Sequence, residues 1–153
     1  MAQLVRTRGK VMPVPPPPPQ PRELIGVIGV SATETANGIA LTLLSVERYA
    51  EGHVALFRLL RTRGRFEREF PSPHLEIAVT PERTERYRVW MMAGSGGGTR
   101  EIEHRLSYAI CPAPHAGPWV LEVRRITWDR YDKNGNYKVA WVDTGPWRFT
   151  ITS

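Results

Sequence analysis

The stretch LIGVIGVSATETANGIALTLLSVERYAEGHVALFRLLRT, residues 24–62, decides the fold class. Two apolar runs rich in β-branched residues flank Asn37-Gly38. A type I′ hairpin turn needs positive φ at both central residues, and Asn-Gly supplies this most readily. Glu51-Gly52 then turns the chain into HVALFRLLRT. A helical reading of Leu41 to Arg63 also finds apolar residues at a 3.6 period. Gly52 in its middle, the preceding Asn-Gly, and the Val, Ile, Thr, Tyr and Phe nearby all oppose it. The stretch predicts three strands joined by tight turns.

The same grammar continues to the end of the chain. HLEIAVT is followed by a turn at PERT, then by RYRVWMM, REIEHRLSYAI, WVLEVRRITW, KVAWVD and WRFTITS. In REIEHRLSYAI, Ile102, His104, Leu106, Tyr108 and Ile110 share one face, while Glu101, Glu103, Arg105 and Ser107 share the other. That is the pattern of a half-buried antiparallel strand. Trp147, Phe149 and Ile151 alternate likewise with Arg148 and Thr150. About eight such runs occur, at the spacing of a sandwich or barrel. The long amphipathic helices of a parallel α/β sheet are missing. The expectation is an all-β antiparallel sandwich of about eight strands over residues 22–153.

Residues 1–21 read differently. Pro13, Pro15 to Pro19 and Pro21 fix φ and remove backbone donors, which predicts a disordered, extended polyproline II arm. Such an arm is a spacer or a ligand for aromatic grooves. The first residues have no continuous apolar core of a secretory signal, so a cytoplasmic location is the default, with an envelope or assembly role open.

The runs NGIALTLLSVERYAEGHVALFRL, WVLEVRRITW and the terminal GPWRFTI resemble the immunoglobulin-like sandwich modules of bacterial envelope and surface proteins, over roughly residues 24–153. The resemblance implies a binding or spacing role; the cysteine pair of antibody domains is missing.

Charge narrows the function less than a pI near 10.0 suggests. Arg6, Arg8 and Lys10 lie in the arm, which leaves 18 basic against 15 acidic residues in the rest, so the body is only mildly basic. The single Cys111 cannot form an intrachain disulfide or a thiolate zinc site. His53, His74, His104 and His115 have no metal-binding spacing, and no activating partner for Cys111 can be assigned. GSGGGT lacks the Lys-Ser/Thr pair and the helix of a phosphate loop, and reads as a hairpin loop. DRYDKNGNYK departs from a calcium loop at the sixth and twelfth places, and Asn134-Gly135 reads as a tight turn. No catalytic residue, cofactor or metal is expected.

Two surfaces remain. Arg58, Arg61, Arg63, Arg65 and Arg68, with Phe66 among them, could grip phosphates and stack on a base, or could guard a strand edge. The five tryptophans, Trp90, Trp119, Trp128, Trp141 and Trp147, could form a carbohydrate platform; Trp119 and Trp147 read as core anchors, Trp128 and Trp141 beside the Asn134-Gly135 turn as partly exposed, and core packing is favoured for most of them. The leading expectation is a non-catalytic structural or protein-interaction module that self-associates through sheet edges. The alternative is a nucleic-acid or polyanion binder using the Arg58 to Arg68 region and the basic arm.

Overall fold

The computed structural model describes residues 21–62, 71–80, 87–114 and 117–152, together with the paired backbone of residues 4–7 and 10–13. It is all-β. In the arm, β1 (Leu4–Thr7) and β2 (Lys10–Pro13) pair antiparallel, so this part is not the unpaired rod that the prolines predict. The prolines themselves begin to dominate only after Met12, and Pro15 to Pro19 lie outside the described residues.

Among its described residues the body has eight strands: β3 (Leu24–Ala36), β4 (Ile39–Tyr49), β5 (His53–Thr62), β6 (Ser72–Thr80), β7 (Arg88–Gly97), β8 (Glu101–Cys111), β9 (Trp119–Tyr131) and β10 (Tyr137–Ile151). They form two wholly antiparallel sheets, one of five strands in the order β3-β4-β5-β8-β7 and one of three in the order β10-β9-β6. Asn37 and Gly38 take φ of 52° and 71°, as the turn chemistry requires. Tyr49 N–H bonds to the Gly52 carbonyl at 2.8 Å, which closes the next turn. Leu41 to Thr62 is therefore two paired strands, and the helical period there has no structural counterpart. Among the described residues no helix is long and apolar enough to cross a membrane.

The core lies between the sheets. Leu41, Leu43, Phe57, Leu59 and Ile110 face it from the larger sheet; Leu121, Ile126, Trp147, Phe149 and Ile151 face it from the smaller one. Alternate side chains stand on opposite faces, so parity decides which residues these are, except that the extra residue Arg124 on β9 reverses it between Val123 and Ile126. One difference from the sequence pattern concerns GSGGG. Gly94 to Gly97 continue β7, opposite Leu106 to Glu103, and the chain turns only at Gly98 to Arg100. The β8 edge templates a strand that the glycines would not form alone.

Direct bonds tie one sheet to the other. The Asn37 side-chain amide donates to the Thr144 carbonyl, and Trp147 Nε1 donates to the Ile39 carbonyl at 3.2 Å, where β3 and β4 meet β10. Near the opposite side, the Tyr108 hydroxyl accepts from Leu75 N–H at 2.8 Å. Burial pushes the Tyr108 phenol from its ordinary 10.0 up to about 12. The native state thus holds this proton where the unfolded chain releases it. Stability from this group is complete below about pH 10 and is lost as pH rises toward about 12. Urea unfolding at these pH values should show the loss in the wild type and not in Tyr108→Phe. That variant should also cost about 1–3 kcal/mol at neutral pH, since Leu75 N–H is left buried without its acceptor.

Candidate functional site

At the end of the sandwich formed by the β9–β10 hairpin, aromatic and polar side chains gather. Trp128 on β9 and Trp141 on β10 are direct partners, with ring centroids 5.5 Å apart and planes at 23°. A register shift between Val139 and Trp141 makes this possible. Strict alternation would place Tyr137, Val139 and Trp141 on one face; the extra residue, Ala140, reverses parity and turns Trp141 toward Trp128. Both indole N–H groups donate to Asp143 Oδ2, at 2.8 Å and 3.1 Å. The Arg61 guanidinium carbon lies 4.7 Å from the Trp128 ring centre and 5.6 Å from that of Trp141. His104 meets Trp128 edge-on at 5.6 Å. Trp128 is fully buried, Arg61 and His104 nearly so, and Trp141 keeps 37% of its surface exposed.

This places the arginines proposed from sequence. Arg61 has the parity of Phe57 and Leu59 and turns inward with them, where the indoles cover its charge. Counting by twos from Phe57 could have found this. Arg58, on the outer face, is held by Glu103, and that bond keeps the Glu103 carboxyl below its usual range. Arg63, Arg65 and Arg68 lie outside the described residues. The two described arginines thus engage the protein's own groups and are not brought together as one outward patch.

A cleft of about 280 Å³ opens beside this end, between β6 and β7. Met91 and Leu106 supply apolar lining; Ser72, Ser95, His74 and Tyr137 supply hydroxyls and an imidazole. Pro71, Pro73, Gly94, Gly96 and His104 complete it. Gly94 and Gly96 occupy positions whose side chains would point inward. A Cβ at Gly96 would stand 2.3 Å from His104 Nδ1, and one at Gly94 3.1 Å from Leu106 Cδ2. Bare backbone at Gly96 makes room for the His104 ring, and at Gly94 it leaves the volume open. His74 is oriented by Asp129, 3.0 Å away, and lies 6.3 Å from the Tyr137 ring, which itself meets Tyr131 edge-on at 4.6 Å. Tyr131 and Tyr137 are 65% and 50% exposed.

The hairpin tip needs no cation to explain its acids. Asp132 Oδ1 accepts the backbone N–H groups of Asn134 and Asn136, both at 2.8 Å, and these bonds hold its carboxyl below the usual range. Gly135, at φ 78°, completes the turn. Among the described residues no group of three or more His, Cys, Asp or Glu side chains could hold a metal. Cys111 is buried, which pushes its thiol up and away from the thiolate. No family model, no curated protein and no solved structure matches this chain.

Proposed function

We propose that the chain is a non-catalytic interaction module, an immunoglobulin-like sandwich that self-associates by pairing β3 with β3 of a second copy. The observation that carries this reading is the outer strand of the larger sheet. β3 pairs with β4 on one side, and it exposes Leu24, Ile25 and Val27 at 53%, 61% and 58%. From Leu24 to Thr33 it has neither a charge nor a proline, the two common guards of a free edge. The other outer strands carry such guards: Pro73 and Glu76 on β6, Lys138, Pro146 and Arg148 on β10, and Arg88 with a glycine-rich end on β7. An antiparallel β3 pair is isologous, so one apolar run, here interrupted by register shifts at Leu24/Gly26 and Gly29/Ala32, serves both halves of the contact.

The test is sedimentation equilibrium of the wild type beside Ile25→Lys/Val27→Lys. The wild type should dimerise with rising concentration, and the double variant should remain monomeric with an unchanged melting midpoint. A wild type that stays monomeric throughout, or a variant that dimerises equally well, would overturn the reading. Salt-steep binding of nucleic acid by the wild type would favour the polyanion alternative instead.

A further inference from the structure

We propose that His53 is a proton-operated latch between the two sheets: neutral, it seals the end of the sandwich where Trp119 is seated, and charged, it opens that end. The inference is independent of the pairing of β3 edges, since it concerns the interior and needs no second copy.

The latch is a matter of position. His53 is the first residue of β5 and has the parity of Ala55 and Phe57, so its ring stands on the inward face. It is 6% exposed. Across the gap it meets Trp119, the first residue of β9, with ring centroids 5.8 Å apart and planes at 48°. Trp119 is itself buried and pairs with Ile151 at the end of the last strand. One imidazole–indole contact thus joins β5 of the larger sheet to β9 of the smaller and, through it, to β10. An aliphatic side chain would fill such a place without setting a titratable group in it.

The surroundings are built for the neutral ring. Nδ1 is buried, and among the described residues nothing is hydrogen-bonded to it. The Gly52 carbonyl beside the ring already accepts from Tyr49 N–H at 2.8 Å. On β4 the cross-strand partner is Arg48, a cation; on β8 it is Ile110, which has no polar side-chain atom. Glu51 and Arg88 act instead on Cys111, which follows Ile110 on β8 and so points to the other face of the sheet. An imidazolium would need acceptors for two N–H groups, in a place with an engaged carbonyl and a like charge. Burial therefore holds the ring's pKa below its ordinary 6.5 against the pull of the Gly52 carbonyl, and Arg48 adds to the lowering.

A ring that resists protonation in the closed state takes up its proton once the end has opened. The closed state is fully favoured above about pH 6.5 and loses ground as pH falls below it. One proton shifts the opening equilibrium by up to about tenfold per pH unit, until the ring of the closed state titrates as well. The surface released by acid is that around Trp119.

Hydrogen exchange read by mass spectrometry tests this at about pH 7.5 and about pH 5.5, on the full chain and on His53→Gln, whose amide is polar and cannot charge. The ratio of the two proteins at each pH cancels the intrinsic pH dependence of exchange. At the lower pH the wild type should gain about tenfold in opening over the variant at residues 53–57 and 119–123. Residues 101–105 and 126–131, at the far end of the sandwich, should gain nothing. Arg48→Glu, at an exposed position, should blunt the gain by setting a carboxylate beside the imidazolium. That variant keeps the histidine and so tests the latch even where position 53 tolerates no change. No gain in the wild type, or an equal gain in His53→Gln, overturns the proposal; the latter would assign the response to His74 or His104. A gain shared by both ends would make it general unfolding and overturn the latch, as would a response that Arg48→Glu leaves unchanged.

Discussion

Phe149→Ala should lower stability by about 3–5 kcal/mol in urea unfolding, against no more than about 0.5 kcal/mol for Thr150→Ala next to it. Phe149 is 2% exposed in the last strand and meets Phe57 of the opposite sheet at 6.2 Å, edge to face. Phe57 in turn meets Tyr108 at 6.2 Å, so the three rings form one contact across both sheets. Truncation removes a ring from the inner face of the smaller sheet's outer strand β10 and leaves a cavity that rigid strands cannot close. Thr150 faces solvent, so its loss opens no such space. A domain of this size has a total stability of roughly 5–15 kcal/mol, so Phe149→Ala removes a large part of it. Equal, small losses for both variants would mean that the last strand is not part of the sandwich.

Trp128→Ala should cost a similar amount, about 3–5 kcal/mol or more, for a compound reason. The variant deletes a fully buried indole and its bond to Asp143. It also strips the nearer aromatic face from Arg61, a charged group that is only 8% exposed. A buried cation without its cover is costly, so loss of the ring acts beyond its area. Trp141→Ala should cost clearly less, because 37% of that residue is already in contact with water. Arg61→Met should recover part of the loss in the Trp128→Ala background, since it removes the cation that faced the missing ring. Additive effects of Trp128→Ala and Arg61→Met would show that the two side chains are not coupled.

Local chemistry made much of the fold legible. Asn37-Gly38 fixed one hairpin, and period-2 alternation in residues 101–107 and 147–151 identified the buried faces correctly, whereas from Tyr108 to Cys111 both faces are buried. Trp119 and Trp147 are buried as read. The partition into five and three strands was hidden, because it rests on long-range pairings such as β5 with β8 that no window of sequence contains. The cleft was hidden for a related reason: glycines at 94 and 96 look like a loop until β8 is placed beside them. The tryptophan pair needed the shift at Ala140, and an extra residue in a strand has no composition of its own. In the arginine run, parity sends Arg58 and Arg61 to opposite faces, and Arg63, Arg65 and Arg68 lie outside the described residues.

The two inward glycines of β7 also set the molecule's evolutionary position. Glycine in a strand raises the entropy of the unfolded chain by roughly 0.5–1 kcal/mol over alanine, and here it also forgoes the apolar packing that an inward position normally provides. At Gly94 the nearest atoms to an added Cβ are the ends of the flexible Leu106 and Met91 side chains, which could move aside. A lineage selected only for heat resistance has an easy route to a tighter sandwich there, through small substitutions that close the opening. An open cleft is therefore the less stable of two accessible designs.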